Sequence, residues 1–198
     1  MSSGWAVLVI DMQNGFCAPD GSLPLAGLGL PGVDDAIADT AALLREARAA
    51  HLPIVYTRHV FRRDQLDRPA RLNPLFPRAG APVLRGSWDA EIVAALTPRD
   101  TDVVVDKNRY DAFLYTDLEL VLRALHATRL VLTGVVTHAC VETTARSAVQ
   151  RDFDVHVAAD CTAGPEPYHS NSLAVLAASF ATVGKWPELT PFAAEVSS

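Results

Sequence analysis

The sequence predicts an α/β fold: a three-layer αβα arrangement around a mostly parallel sheet. Three observations carry that prediction. Short apolar runs of strand length alternate with stretches of helical period along the whole chain. The apolar runs are solid rather than alternating, the pattern of strands covered by helices on both faces. At 198 residues, with 49% hydrophobic and 20% charged side chains, the chain has the size and composition of one globular domain, 1–198.

The elements follow in order. WAVLVI (5–10) is the first strand. Residues 34–51 place Ile37, Ala41, Leu44 and Ala47 or Arg48 at helical spacing, with Asp34 as the expected N-cap. LPIVYT (52–57) and DVVV (102–105) are the second and third strands. Between them, 61–88 carries four prolines and several arginines without a clean period, and reads as a long active-site loop or lid. TDLELVLRALHA (116–127) is a helix with Thr116 and Glu119 at capping-box spacing. RLVLTGVV (129–136) is strand four, 140–151 a helix, DVHVAA (154–159) strand five, and 168–180 a last helix before a short sixth strand at ATVG.

Composition excludes several functions. The formal charge of −6 offers no basic excess to neutralise phosphates, so no nucleic acid is expected as a partner. The amino terminus has no cationic segment before its short apolar run, and no apolar stretch approaches membrane-spanning length. A cytoplasmic protein without a membrane partner is the expectation. Three cysteines with no C-x-x-C pair argue against both a disulfide framework and a structural zinc site.

Ligands of open α/β sheets bind beyond the carboxyl ends of the strands. Asp11 follows strand one, Lys107 follows strand three, and Cys140 opens the helix after strand four. A carboxylate, an ammonium and a thiol are therefore expected to converge on one edge. Buried packing is the commonest fate of a free cysteine. Cys140 differs from Cys17 and Cys161 in its place at a helix N-terminus, where the macrodipole and a neighbouring ammonium favour thiolate and bring its pKa toward neutrality. Lys107 is one of only two lysines among 17 cationic side chains, which suggests a compact charge required at a point. Phe16, Tyr110, Phe113 and Tyr115 stand near the same strand ends, placed to sandwich a small planar substrate. Tyr168 and His169 stand in position to close the pocket, and Arg58, His59, Arg62 and Arg63 form the one dense basic stretch.

Three blocks, LVIDMQNGFCAPDGSL (8–23), DVVVDKNRYDAFLYTDLELVLRA (102–124) and LVLTGVVTHACVETTARSAVQRDFDVHVAADCTAG (130–164), resemble the isochorismatase-like cysteine hydrolases. That group includes N-carbamoylsarcosine amidases, ureidoacrylate and biuret hydrolases, nicotinamidases and isochorismatases. The resemblance spans most of the chain. It implies a six-stranded, Rossmann-like parallel sheet and an Asp–Lys–Cys triad falling on Asp11, Lys107 and Cys140. It further implies a non-proline cis peptide at Val135–Val136, and an oxyanion hole from the backbone N–H groups of Val136 and Cys140. Phe16 and Phe113 match aromatic positions near the family's active site. Where nicotinamidases hold a metal, this chain has His59 but no second histidine nearby, so no metal or other cofactor is expected.

The cysteine favours a small amide or ureido substrate, cleaved at a carbon–nitrogen bond through a thioester. The alternatives are an isochorismatase-type vinyl-ether hydrolase and a catalytically silent binding module of the same fold. Because the family is commonly oligomeric, a homo-oligomer is expected.

Overall fold

A computed structural model describes residues 4–69, 80 and 82–189 of the chain. Six strands form one parallel sheet: β1 (Trp5–Ile10), β2 (Ile54–His59), β3 (Val103–Lys107), β4 (Arg129–Val135), β5 (Asp154–Ala163) and β6 (Thr182–Gly184). Their order is β3-β2-β1-β4-β5-β6. The chain runs outward from β1 to one edge, then returns and runs from β4 to the other. The order therefore reverses between β1 and β4, and that is where a crevice opens at the carboxyl ends.

Right-handed crossovers travelling in opposite directions place their helices on opposite faces. The structure obeys this. Helix α3 (Val33–Ala49), which links β1 to β2, packs its Leu43, Leu44 and Ala47 on one face against Val7, Val9 and Tyr56. Short α1 (Asn14–Cys17) and α2 (Ser22–Leu25) add Phe16 and Leu23 to the same side. Helices α4 (Leu118–Ala124), α5 (Glu142–Val149) and α6 (Tyr168–Ser179) cover the other face, burying Leu118, Leu122, Ala145 and Leu176 against Leu8, Ile10 and Leu132. A final turn, α7 (Trp186–Leu189), follows β6. Each strand thus divides its side chains between two apolar layers, which is why the runs read as solid hydrophobic sequence.

Several boundaries differ from the sequence expectation. Gly32, at φ +74°, caps α3 in place of Asp34, which falls in the first turn and faces the positive helix end with Asp35. The α3 core face is Ala36, Leu43, Leu44 and Ala47, with Ile37 and Ala41 half-buried at its border. Asp117 rather than Thr116 is the N-cap of α4; the Thr116 hydroxyl donates to Ala112 O at 2.6 Å and accepts the Leu118 N–H at 3.2 Å. β5 extends four residues past the expected end, through a register shift between Leu132 and Gly134 on its neighbour. Of the proline-rich stretch 61–88, residues 70–79 and 81 lie outside the described residues.

Gly134 holds the crevice closed at its base. Its φ is +117°, and a Cβ there would lie 2.0 Å from the Ile10 carbonyl oxygen on β1. Only glycine lets β4 lie so close to the residue that precedes Asp11. Gly134→Ala is expected to destabilise the protein by about 3–4 kcal/mol, measured as a lowered midpoint in urea unfolding.

Candidate active site

Asp11, Lys107 and Cys140 meet at the carboxyl end of the sheet. Asp11 follows β1 with φ +53°, an uncommon backbone for a side-chain-bearing residue that aspartate tolerates better than most. The bend is held on both sides. The Asp11 N–H donates to Thr57 O at 3.1 Å, and the Gln13 N–H donates to Asp11 O at 2.7 Å. The carboxylate is fully buried, and the Thr57 hydroxyl donates to its Oδ1 at 2.7 Å.

Lys107 ends β3, two strands away, and its side chain crosses the end of β2 to reach Asp11. Its Nζ stands 2.6 Å from Asp11 Oδ2, 2.9 Å from Arg109 O, 3.4 Å from Cys140 Sγ and 3.4 Å from His59 Nδ1. An ammonium has three hydrogens, so four acceptors compete for them. The carboxylate and the carbonyl hold two at short range; sulfur and imidazole share the third. Burial alone would lower the lysine, but Asp11 and the sulfur hold its pKa above the ordinary value.

Cys140 lies within a wide turn of π type, Thr137–Val141, that leads into α5. The Val135–Val136 peptide that precedes this turn is cis. The thiol itself differs from the sequence expectation. Burial pushes its pKa up to about 12, against the pull of Lys107 and with the push of Asp11. A helix terminus and an ammonium do not overcome the desolvation of sulfur in a dry site beside a carboxylate. The resting site is thus a neutral thiol next to a closed ion pair.

His59 ends β2 beneath this group. Burial, then the charges of Lys107 and Arg109, hold its pKa well below the ordinary 6.5, so the imidazole is neutral. Gln13 fixes the backbone there. Its Oε1 accepts the His59 N–H at 2.6 Å, and its Nε2 donates to His59 O and Ala90 O at 3.0 Å each. Asp11, His59 and Cys140 present possible ligand atoms within 4.8 Å of one another. The Lys107 ammonium stands beside the same group, within 3.4 Å of an atom of each.

A cavity of about 300 Å³ opens above Cys140. Phe16, Leu23, Leu28, Leu30, Val136 and Tyr168 make its apolar walls, and His59, Tyr110 and His138 supply the polar edges. Phe16 and Tyr110 therefore stand at the cavity. Phe113 and Tyr115 do not. Phe113 faces the other way and stacks on Phe153, centroids 6.0 Å apart, within the core of the α4–α6 face. Tyr115, at φ +62°, turns into solvent and is 80% exposed under the Arg109 guanidinium. Tyr168 lines the cavity with its ring 5.2 Å from His138, whereas His169 Nδ1 bonds the Thr137 hydroxyl at 2.8 Å. Of the basic stretch, Arg58 pairs with Asp106 and Arg62 with Asp64, so only His59 reaches the cavity.

Residues 5–188 match the Isochorismatase domain family. The chain belongs to the isochorismatase-like cysteine hydrolase superfamily. Among its relatives is the ureidoacrylate amidohydrolase RutB of Methylobacterium radiotolerans, 35% identical over 192 residues that cover 89% of this chain and 74% of the relative. A cysteine hydrolase from Pseudomonas syringae superposes with a TM-score of 0.84 at 34% identity, covering 93% of this chain and 90% of that one. The N-carbamoylsarcosine amidase of Thermoplasma acidophilum gives 0.75 at 25% identity, with 96% and 99% covered.

Sequence reasoning missed Thr57, Gln13 and the leucines of 23–30. A buried glutamine and a strand threonine carry no spacing signal. The alternation of leucine and glycine in LAGLGL was the available clue to an apolar wall built on backbone.

Two outcomes follow from the electrostatics. Removing one member of the buried pair leaves an uncompensated charge, so Asp11→Asn and Lys107→Met should each cost about 3–5 kcal/mol, and the double variant less than their sum; a double-mutant cycle by denaturant unfolding measures the coupling. His59 resists protonation in the folded state, while the unfolded chain protonates near its ordinary value. Stability attached to His59 is therefore present above pH of about 6.5 and is lost as pH falls, by up to about 1.4 kcal/mol per unit. Melting temperatures taken between about pH 8 and pH 5 should fall over the lower half of that range, with a shallower slope in His59→Asn.

Proposed function

We propose that this protein is a cysteine hydrolase that cleaves the carbon–nitrogen bond of a small amide or ureide, with Asp11, Lys107 and Cys140 as its catalytic residues. The observation that carries the reading is the position of Lys107 Nζ, 2.6 Å from a buried carboxylate and 3.4 Å from a thiol at the floor of a cavity. The relatives named ureidoacrylate amidohydrolase and N-carbamoylsarcosine amidase support the choice of bond. Vinyl-ether hydrolysis has no use for a buried thiol so placed.

The chemistry follows from the charges. The thiol is protonated at rest, so attack requires its proton to move to Asp11 as the Sγ–carbon bond forms. Lys107 makes that transfer possible: its charge remains beside the sulfur as negative charge passes from carboxylate to thiolate. The carbonyl oxygen, now an oxyanion, is held by the N–H groups of Val136 and Cys140. Asp11 returns the proton to the leaving nitrogen, ammonia or an amine departs, and a thioester remains on Cys140. Asp11 then takes a proton from water; the hydroxide releases the acid, and the thiol is restored.

A lid role for the 61–88 loop is supported by its described residue Asp67, which accepts from Asn108 Nδ2 at 3.1 Å and from Arg109 Nη1 at 2.9 Å, immediately beyond Lys107. Three free, buried cysteines suit a reducing cytoplasm. No helix among the described residues is long and apolar enough to cross a membrane. Exposed Val104, Tyr115 and Leu120 suit assembly into a homo-oligomer.

Cys140→Ala should abolish ammonia release from an amide substrate while leaving the melting temperature within a few degrees of the parent. In the parent, rapid acid quenching followed by intact-mass measurement should find the acyl group on Cys140. Undiminished turnover by the alanine variant would refute the mechanism.

A further inference from the structure

We propose that Asp89 is the positioning residue of the cavity: its carboxylate fixes Phe16, Leu23 and His59 relative to one another, and so sets how closely a bound molecule is held beside Cys140. Asp89 touches no reacting atom, and its role rests on the reading of Cys140 as the nucleophile.

Asp89 stands in a short 3-10 turn, Trp88–Ala90. The backbone of that turn is fastened to the residues that follow Asp11. Asn14 Nδ2 donates to Trp88 O at 2.9 Å, the Asn14 N–H to Glu91 O at 2.9 Å, and Gln13 Nε2 to Ala90 O at 3.0 Å. These bonds use main-chain oxygens only, so they hold the turn in place and leave the Asp89 carboxylate for other partners.

The carboxylate gathers donors from two segments distant in sequence. Its Oδ1 accepts the Ser22 N–H at 3.1 Å; its Oδ2 accepts the Ser22 hydroxyl and, at 3.1 Å, the Val83 N–H. It also lies against Gly15, where a Cβ would stand 2.8 Å from Asp89 Cγ and 2.9 Å from Oδ2. Each of these neighbours leads to the cavity. Gly15 precedes Phe16 and Ser22 precedes Leu23, both of which line it. Val83 O accepts the Phe61 N–H at 3.1 Å, and the Phe61 ring packs 4.8 Å from that of His59, a third lining residue. One carboxylate thus stands behind three parts of the lining that come from separate stretches of chain.

Val83 shows that the restraint is needed. Its side chain is buried and its φ is +50°, a backbone conformation that a β-branched residue rarely adopts. Such a conformation persists only where its surroundings over-determine it, and here Asp89 holds the N–H while Phe61 holds the carbonyl. Backbone donors bind a carboxylate more strongly than a neutral acceptor. An amide in its place has a single acceptor oxygen. With that oxygen at Oδ1, the Val83 N–H faces an NH2 group; with it at Oδ2, the Ser22 N–H does. Either way one backbone donor loses its acceptor.

Alkylation of Cys140 in the full chain tests the proposal, with iodoacetanilide and iodoacetamide compared at a pH of about 8.5 and the modified cysteine located by peptide mass. Both reagents carry the same electrophile, and the anilide adds a ring that reaches the walls. The ratio of their second-order rates, anilide over amide, therefore reads contact with the lining and cancels the reactivity of the thiol itself. Asp89→Asn should lower this ratio by about tenfold. Gly15→Ala, which pushes the carboxylate aside without altering any hydrogen-bonding group, should lower it similarly, and should lower it little further in an Asp89→Ala background, where the displaced group is gone. Ser22→Ala, which removes one donor only, should lower it less and carries the test if Asp89→Asn shows no cooperative melting transition. A merely structural Asp89 would lower the melting temperature and leave the ratio alone. A ratio unmoved or raised in these single variants, or a loss of both rates in proportion, would overturn the proposal; the cysteine-hydrolase reading would still stand if Cys140→Ala abolished ammonia release. A parent Cys140 inert to both reagents would overturn the two together.

Discussion

The buried ion pair between Asp11 and Lys107 is the constraint on which the site depends. Two charges cannot stand in a dry interior unless each finds the other, and here they do so at 2.6 Å with both side chains sealed from solvent. Everything around them serves that pairing. Thr57 takes one carboxylate oxygen, the Arg109 carbonyl takes one ammonium hydrogen, and the left-handed turn at Asp11 points the carboxylate across β2. The thiol then sits where the pair's remaining field acts on it.

This arrangement explains why the Cys140 thiol is protonated at rest. An exposed cysteine at a helix terminus would ionise easily and react with whatever electrophile arrived. Cys140 instead keeps its proton, because burial and the neighbouring carboxylate outweigh the ammonium. In the proposed mechanism, ionisation becomes favourable only when a carbonyl carbon takes up the sulfur's electrons as the proton leaves for Asp11, which ties activation of the thiol to occupation of the cavity.

The sheet supplies the positions at little cost. Reversal of strand order between β1 and β4 leaves the crevice, and the close approach at Gly134 keeps its two sides in register. Lys107 can span β2 because its side chain is long and unbranched, and because Gln13 fixes the end of β2 at His59, whose imidazole lies 3.4 Å from the ammonium. The apolar wall of 22–30 belongs to the connection after β1, so one loop carries Asp11 at its start and the cavity wall further along.

Local sequence determined the strands, their parallel character and the carboxylate, ammonium and thiol at their carboxyl ends, because period, apolar continuity and residue type are written within a few positions of one another. WAVLVI and RLVLTGVV could be little else than covered strands, and Asp11, Lys107 and Cys140 each follow such a run. The cap of α3 moved by two residues because glycine at φ +74° was a better start than a following aspartate, a choice set by backbone geometry. What lines the cavity was beyond local reading: Phe16 and Tyr110 face it, while Phe113 turns into the core beside Phe153 and Tyr115 into solvent. The protonation of Cys140 was equally out of reach. Both are set by which distant chains pack around a side chain, and burial of that kind exists only once the tertiary structure has formed.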